Sequence, residues 1–198
     1  MSLSSVGYDQ YVRLWDVATG QLRASLRGHS FNVSAIAYSP DGKTLASGDQ
    51  YGNIRLWDVA SGQPRAHWPG YFPTVRALAF SPDGKTLAVA RENQSVVQFR
   101  DLTTDRWRTG IPRGNPQGSQ SLAFSPDSKV LAVAGTWDVA TLWNPATAQL
   151  IGILEGHARY PDAVVFSTDG KMLATVQGKT VKLWDAPKSI DPVQPVKP

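Results

Sequence analysis

Read for polarity alone, the chain is a series of short stretches in which apolar and polar positions alternate, each closed by a turn signal. "NVSAIAYSP" (residues 32–40) and "TVRALAFSP" (74–82) follow this alternation and stop at a proline, which cannot donate to a β-ladder. Asp-Gly follows each proline and predicts a tight turn, with positive φ open to both central positions. Short apolar strands come next: "TLASG", "TLAVA", "VLAVA" and "MLATV". In "IRLWDV" the period of two puts Ile54 and Leu56 on one face, Arg55 and Trp57 on the other. "ATGQ" and "ASGQ" then mark another turn before an outer strand such as "LRASLRG". No stretch carries a helical period.

These segments recur on a fixed beat. Trp15-Asp16, Trp57-Asp58, Trp143-Asn144 and Trp184-Asp185 stand in one frame, with Arg100-Asp101 between them, at spacings of 42, 43, 43 and 41. "SPDGK" begins at 39 and 81, "SPDSK" at 125 and "STDGK" at 167. Gly-His occurs at 28–29 and 156–157 and is altered to Gly-Tyr at 70–71 and Gly-Asn at 114–115. From each of these glycines to the Ser that opens the following phrase, at 39, 81, 125 and 167, is 11 residues, four times over. Four strands per unit of about 42 residues predict an all-β fold, a β-propeller of four-stranded antiparallel blades. The expected inner strands are 33–38, 75–80, 119–124 and 161–166. The first unit starts at its second strand and the last stops after its third, so about five blades are expected, the first and last incomplete.

The three phrases in fixed register resemble the WD-repeat β-propeller family over residues 1–186. The units run as a partial blade 1–27, blades 28–69, 70–113 and 114–155, and a partial blade 156–186. Residues 187–198, rich in proline, read as a tail or linker. The resemblance implies blades set radially around a central channel and a role in holding protein partners. It also implies a structural tetrad in each unit: the His, a Ser or Thr on the second strand, an Asp in the following turn, and the Trp. Carried over, this selects Ser5, Asp9 and Trp15 in the first unit, and His29, Ser47 and Trp57 in the second, with Tyr51 at the Asp position. The fifth has His157, Thr175 and Trp184; the fourth keeps only Trp143, with Asn115 and Trp137 at the His and Asp positions. The third has Tyr71, Gln94 and Arg100. No unit is complete on this reading, so apolar packing is expected to hold the blades.

Composition narrows function by exclusion. The 198 residues carry no Cys, which removes disulfide and thiolate chemistry. Twenty basic and sixteen acidic residues are interleaved, a balance too even to argue for nucleic acid. The N-terminus lacks a secretion-signal pattern and no window is apolar enough to span a membrane, so a cytoplasmic location is expected. Of the three His, two sit in the repeat phrase and His67 has no companion at metal-ligand spacing. The Asp residues at 41, 83, 127 and 169 are turn residues, and no Ser sits in a Gly-x-Ser-x-Gly elbow. No catalytic, cofactor-binding or metal site is therefore expected.

Three function classes follow. A non-catalytic protein-interaction scaffold leads; a sensor or small-ligand-binding module of a larger protein comes next, and a propeller enzyme third. In the family frame, Tyr8, Phe31, Tyr51, Tyr71, Phe72, Trp137 and Tyr160 fall near one rim, and Arg76 at the channel mouth, as candidate partner contacts. Five arginines (Arg91, Arg100, Arg106, Arg108 and Arg113) crowd the third unit and read as a solvated face, with an anionic-partner patch as the alternative. The incomplete end units predict unpaired edges, and hence self-association or completion by missing repeats.

Overall fold

The computed structural model describes residues 2–7, 9–71, 73–94, 96–112, 121–136 and 138–187, and their regular structure is antiparallel β-sheet throughout. Three strands form the first sheet: β1 (Ser2–Val6), β2 (Val12–Asp16) and β3 (Leu22–Leu26). The second is β4 (Val33–Tyr38), β5 (Thr44–Asp49), β6 (Ile54–Asp58) and β7 (Pro64–Trp68). The third is β8 (Val75–Phe80), β9 (Thr86–Arg91), β10 (Val96–Asp101) and β11 (Arg106–Pro112). The fourth is β12 (Ser121–Phe124), β13 (Leu131–Thr136), β14 (Val139–Trp143) and β15 (Leu150–Leu154). β16 (Ala163–Phe166), β17 (Met172–Gln177) and β18 (Thr180–Asp185) close the series. Each strand pairs with its neighbour in chain order, and β4, β8, β12 and β16 lie side by side, as the inner strands of propeller blades do. β4 and β8 cover the expected inner-strand ranges, β16 starts two residues later, and β12 matches 121–124 of its range; residues 119–120 and the tail from 188 lie outside the described residues.

The Ser-Pro-Asp-Gly turn differs from its expected form. Only the glycine has positive φ, +67° at Gly42, and the Asp keeps negative φ. Pro40, with φ preset near −65°, enforces a type I turn closed by the Gly42 N–H on the Ser39 carbonyl at 2.9 Å. Ser39 Oγ then donates to Asp41 Oδ1 at 2.6 Å and accepts the Thr44 N–H at 2.9 Å. The Ser-to-Asp bond recurs at Ser81, Ser125 and Ser167. In the fourth sheet Ser128 occupies the glycine's place at φ +64°, a costly conformation for a residue with a Cβ.

Sheets meet face to face through four apolar clusters. Val12, Leu14 and Leu26 of the first sheet pack on Leu45 and Trp57 of the second. Ala46, Ile54 and Trp68 of the second pack on Val75, Leu87 and Val89 of the third. Val97, Phe99 and Ile111 of the third meet Phe124, Leu131 and Trp143 of the fourth, and Leu142 and Leu154 of the fourth meet Leu173 and Trp184 of the fifth. Alternation along each strand thus serves two junctions: Ile54 faces the following sheet and Trp57 the preceding one. The connection between sheets crosses the β5–β6 turn so closely that a Cβ on Gly70 would lie 2.2 Å from the Gly52 carbonyl carbon.

Candidate functional site

The second unit carries a continuous polar chain. His29 Nδ1 lies 2.9 Å from Asp49 Oδ2 and His29 Nε2 lies 2.6 Å from Ser47 Oγ. Trp57 Nε1 donates to that same hydroxyl at 2.7 Å. Asp49 also accepts the backbone N–H groups of Tyr51 and Asn53 and the Asn53 side-chain amide. Burial raises the Asp49 pKa, but the bonds from His29 and Asn53 outweigh it and hold the carboxyl below its usual range. The expectation that no unit is complete is corrected here. Tyr51 stands where the pattern wants the acid, but Asp49, two residues earlier and on the face of β5 that carries Ser47, fills the role. Residues i and i+2 of a strand share a face, so this was the signal available.

The other units keep less. Trp15 Nε1 donates to Ser5 Oγ at 2.8 Å, while Asp9 turns away to pair with Arg13 at the surface. In the fifth unit His157 Nε2 and Trp184 Nε1 each meet Thr175 Oγ1 at 2.8 Å, and His157 Nδ1 is buried with no hydrogen-bond partner among the described residues. Burial first, then the charge of Lys182, lowers the His157 pKa against the pull of the Leu154 and Asp138 backbone. Trp143 donates to Thr141, two residues back on its own strand.

The third unit replaces the tetrad with another device. Arg100, at the tryptophan's position, lies with Cζ 4.7 Å from the ring centroid of Trp68 and 5.1 Å from that of Trp107. Arg91, in the place of Asp49, covers the same Trp107 at 5.4 Å. The two indoles meet edge to face at 6.0 Å, and Asp105 bonds Arg100 Nε at 3.0 Å. Register explains the geometry. Where the other full sheets carry a bulge beside the tryptophan (Leu56/Trp57 and Leu142/Trp143), β10–β11 shifts at Val97/Phe99, and Trp107 falls directly opposite Arg100. Arg91 and Arg100 are buried and so leave any exposed cluster, while Arg113 lies outside the described residues.

Aromatics gather where the loops entering β4 and β8 meet the β5–β6 turn. Phe31 and Tyr51 stack at 4.4 Å with 9° between planes. With Tyr71, Arg55 and His67 they line a cleft of about 280 Å³. Tyr71 is 85% exposed and Tyr160, in the loop before β16, 50%. Arg76 pairs with Glu92 across the β8–β9 pair. Tyr8, Phe72 and Trp137 lie outside the described residues. At the opposite end of the second and third sheets a groove of about 700 Å³ opens among the Ser-Pro-Asp turns.

The sequence matches the family described as WD domain, G-beta repeat at residues 20–58, 62–99 and 148–185, more than half of the chain. The chain belongs to the WD-repeat family. Mouse Coronin-7 is 49% identical over 45 residues, 23% of this chain and 5% of that protein. The rice small ribosomal subunit protein RACK1y is 39% identical over 51 residues, 26% of this chain and 15% of its own. Rice pre-mRNA-processing factor 19 aligns along 94% of this chain at 25% identity, over 36% of its own length. The WD-repeat chain thus spans a small part of the curated relatives it matches.

In this WD-repeat unit, Ser47, His29 and Asp49 have the wiring of a proton relay, but the hydroxyl is 0% exposed and already accepts the Trp57 N–H. A nucleophile must reach its substrate, so the arrangement works as a lock. The Asp of the first two Trp-Asp pairs caps the next turn: Asp16 Oδ1 accepts from Ala18 and Thr19, and Asp58 Oδ1 from Ser61. Backbone and side-chain bonds from Ser61, then Arg65, bring Asp58 down to about 2. Among the described residues no group of His, Asp or Glu is placed to hold a metal ion, and no helix is long and apolar enough to cross a membrane.

Proposed function

We propose that the chain is a non-catalytic protein-interaction scaffold whose partner docks on the rim carrying Phe31, Tyr51, Tyr71 and Tyr160. The observation that carries this reading is the exposed Tyr71 beside the stacked Phe31–Tyr51 pair, large apolar groups on loops at the edge of a cleft. Interface centres favour Tyr and Trp anchors ringed by polar groups. Arg55 and His67 supply that polar wall, and Arg76 joins it where Glu92 releases it. The relatives fit the same role: one is by name a ribosomal subunit protein, and a place in an assembly is what carries over from it. Tyr51 has a second duty, covering the turn that holds Asp49.

The test uses a protein retained by the immobilised chain, with its affinity measured for Phe31→Ala, Tyr71→Ala and Tyr160→Ala. Anchors lose about 2 kcal/mol, roughly 30-fold in Kd, with little change in melting temperature. Falling melting temperature with unchanged affinity would assign these side chains to packing and end the proposal.

A further inference from the structure

Each unit carries a polar residue two places before its tryptophan position, on the same strand: Arg13, Arg55, Gln98, Thr141 and Lys182. Four of them find partners within the chain. Arg13 pairs with Asp9, and Gln98 Oε1 accepts from Arg91 Nη1. Thr141 Oγ1 accepts from Trp143 Nε1 at 2.9 Å, and Lys182 Nζ donates to the Gly156 carbonyl. Arg55 is the exception among the described residues. Its Nε is buried with no hydrogen-bond partner, and its guanidinium enters no ion pair. The first unit shows why. Asp9, four residues before Arg13, supplies that arginine's counter-charge. Four residues before Arg55 stands Tyr51, whose ring lies against Phe31. Asp49 lines the same cleft, but its oxygens already accept from His29, Asn53 and the Tyr51 N–H.

We propose that Arg55 receives the carboxylate of an acidic side chain on the partner protein, next to an aromatic residue that packs on Phe31 and Tyr71. This rests on the rim reading above and names the chemistry of what docks there. A guanidinium takes a carboxylate through two parallel N–H donors, and such a charge-assisted pair is among the stronger polar contacts. Gly28 keeps room for the cation, since a Cβ there would lie 3.1 Å from Arg55 Cζ. The cleft, about 280 Å³, has the size of a side-chain site and falls short of the roughly 300–1,000 Å³ of small-molecule pockets. Its charge suits a single negative group. Burial, and then Arg55 itself, hold His67 below its usual range and therefore neutral at pH 7, which leaves one cation beside the Asp49 carboxylate. A phosphorylated side chain, with close to two negative charges, fits that balance less well.

The probes are acetylated, amidated peptides of sequence Gly-Phe-Glu-Phe-Gly, its Gln counterpart and its phosphoserine counterpart. Each is titrated into the isotope-labelled chain while the Arg55 Nε–H resonance is followed. The Glu peptide should bind with a Kd of roughly 1 mM and shift that resonance, and the Gln peptide should bind about ten-fold more weakly. Arg55→Met should erase the preference for Glu and leave both peptides with the weaker affinity. Tyr51→Asp restores the pairing of the first unit and should erase it too, with the arginine still in place; melting checks that both variants fold. Tyr71→Ala tests the rim separately, because it should weaken the Glu and Gln peptides alike. Equal affinities for Glu and Gln that both fall in Tyr71→Ala would overturn the acidic partner and leave the rim standing. A Glu preference that Tyr71→Ala leaves untouched would do the reverse. The proposal also fails if the preference survives Arg55→Met, if the phosphoserine peptide binds more tightly than Glu, or if the Glu peptide gives no shift up to roughly 10 mM.

Discussion

The second and third units share a backbone plan and differ in what locks it. In the second, the lock is a chain of directional bonds through Trp57, Ser47, His29, Asp49 and Asn53. In the third it is a stack of two guanidinium groups and two indoles, Arg91 and Arg100 against Trp107 and Trp68. The first is costly to leave half-made, since each buried donor or acceptor needs its partner. The second is softer: planar cations over rings keep much of their attraction when they shift. Losing the tetrad therefore did not leave the third unit to apolar packing alone.

Asp49→Ala should show the largest effect, because it strips partners from His29 and Asn53 inside the sheet junction. A loss of about 3–5 kcal/mol in denaturant unfolding is expected. Arg100→Ala should cost less, about 2 kcal/mol, and Arg100→Lys about half that, since Lys keeps the charge without the plane. Equal losses for Asp49→Ala and Arg100→Ala would erase the distinction between the two locks.

Acid should weaken the polar locks first. His67 and His157 both hold protons more weakly folded than unfolded: burial acts first on each, then Arg55 on His67 and Lys182 on His157. The unfolded chain thus takes up protons first as pH falls below about 6.5, so this contribution is complete above that value and lost on acidification. Depressed carboxyls such as Asp49 and Asp58 add a second loss starting below about 4. Denaturation midpoints should fall between pH 7.5 and 5.5, and His157→Gln should shrink that first drop. A flat profile in the variant and wild type alike would remove the histidines from the account.

The smallest expected change is a gain. Ser128→Gly relieves the positive φ in the fourth sheet's turn but gives up the bond its hydroxyl accepts from the Asp83 N–H at 3.2 Å. A net stabilisation of up to about 1 kcal/mol should appear as a raised melting temperature.

Strand order and blade count were legible because period-two alternation, proline stops and an 11-residue spacing all report local backbone. The tetrad was legible at Ser47 and Trp57, whose chemistry is named by position, and not at Asp49, where strand alternation outranked the count from neighbouring units. The Arg100 stack was hidden for a different reason. It depends on a displaced bulge and on Trp68 from another sheet, and a one-residue register shift leaves no trace in residue type. The rim aromatics stood out in sequence; that Phe31 and Tyr51 lie parallel against each other needed coordinates.

Gly70 and its neighbour Tyr71 show how freedom to vary is divided in such a chain. Main chain 2.2 Å from the place of a side chain forbids anything larger at 70, whereas position 71, where the second unit has its buried His29, opens to solvent. Mutational drift can thus rewrite one letter and must spare the one before it. A blade built this way can exchange its inner chemistry for a new outward specificity while its metre stays fixed, and the surface can diversify without any search for a new fold.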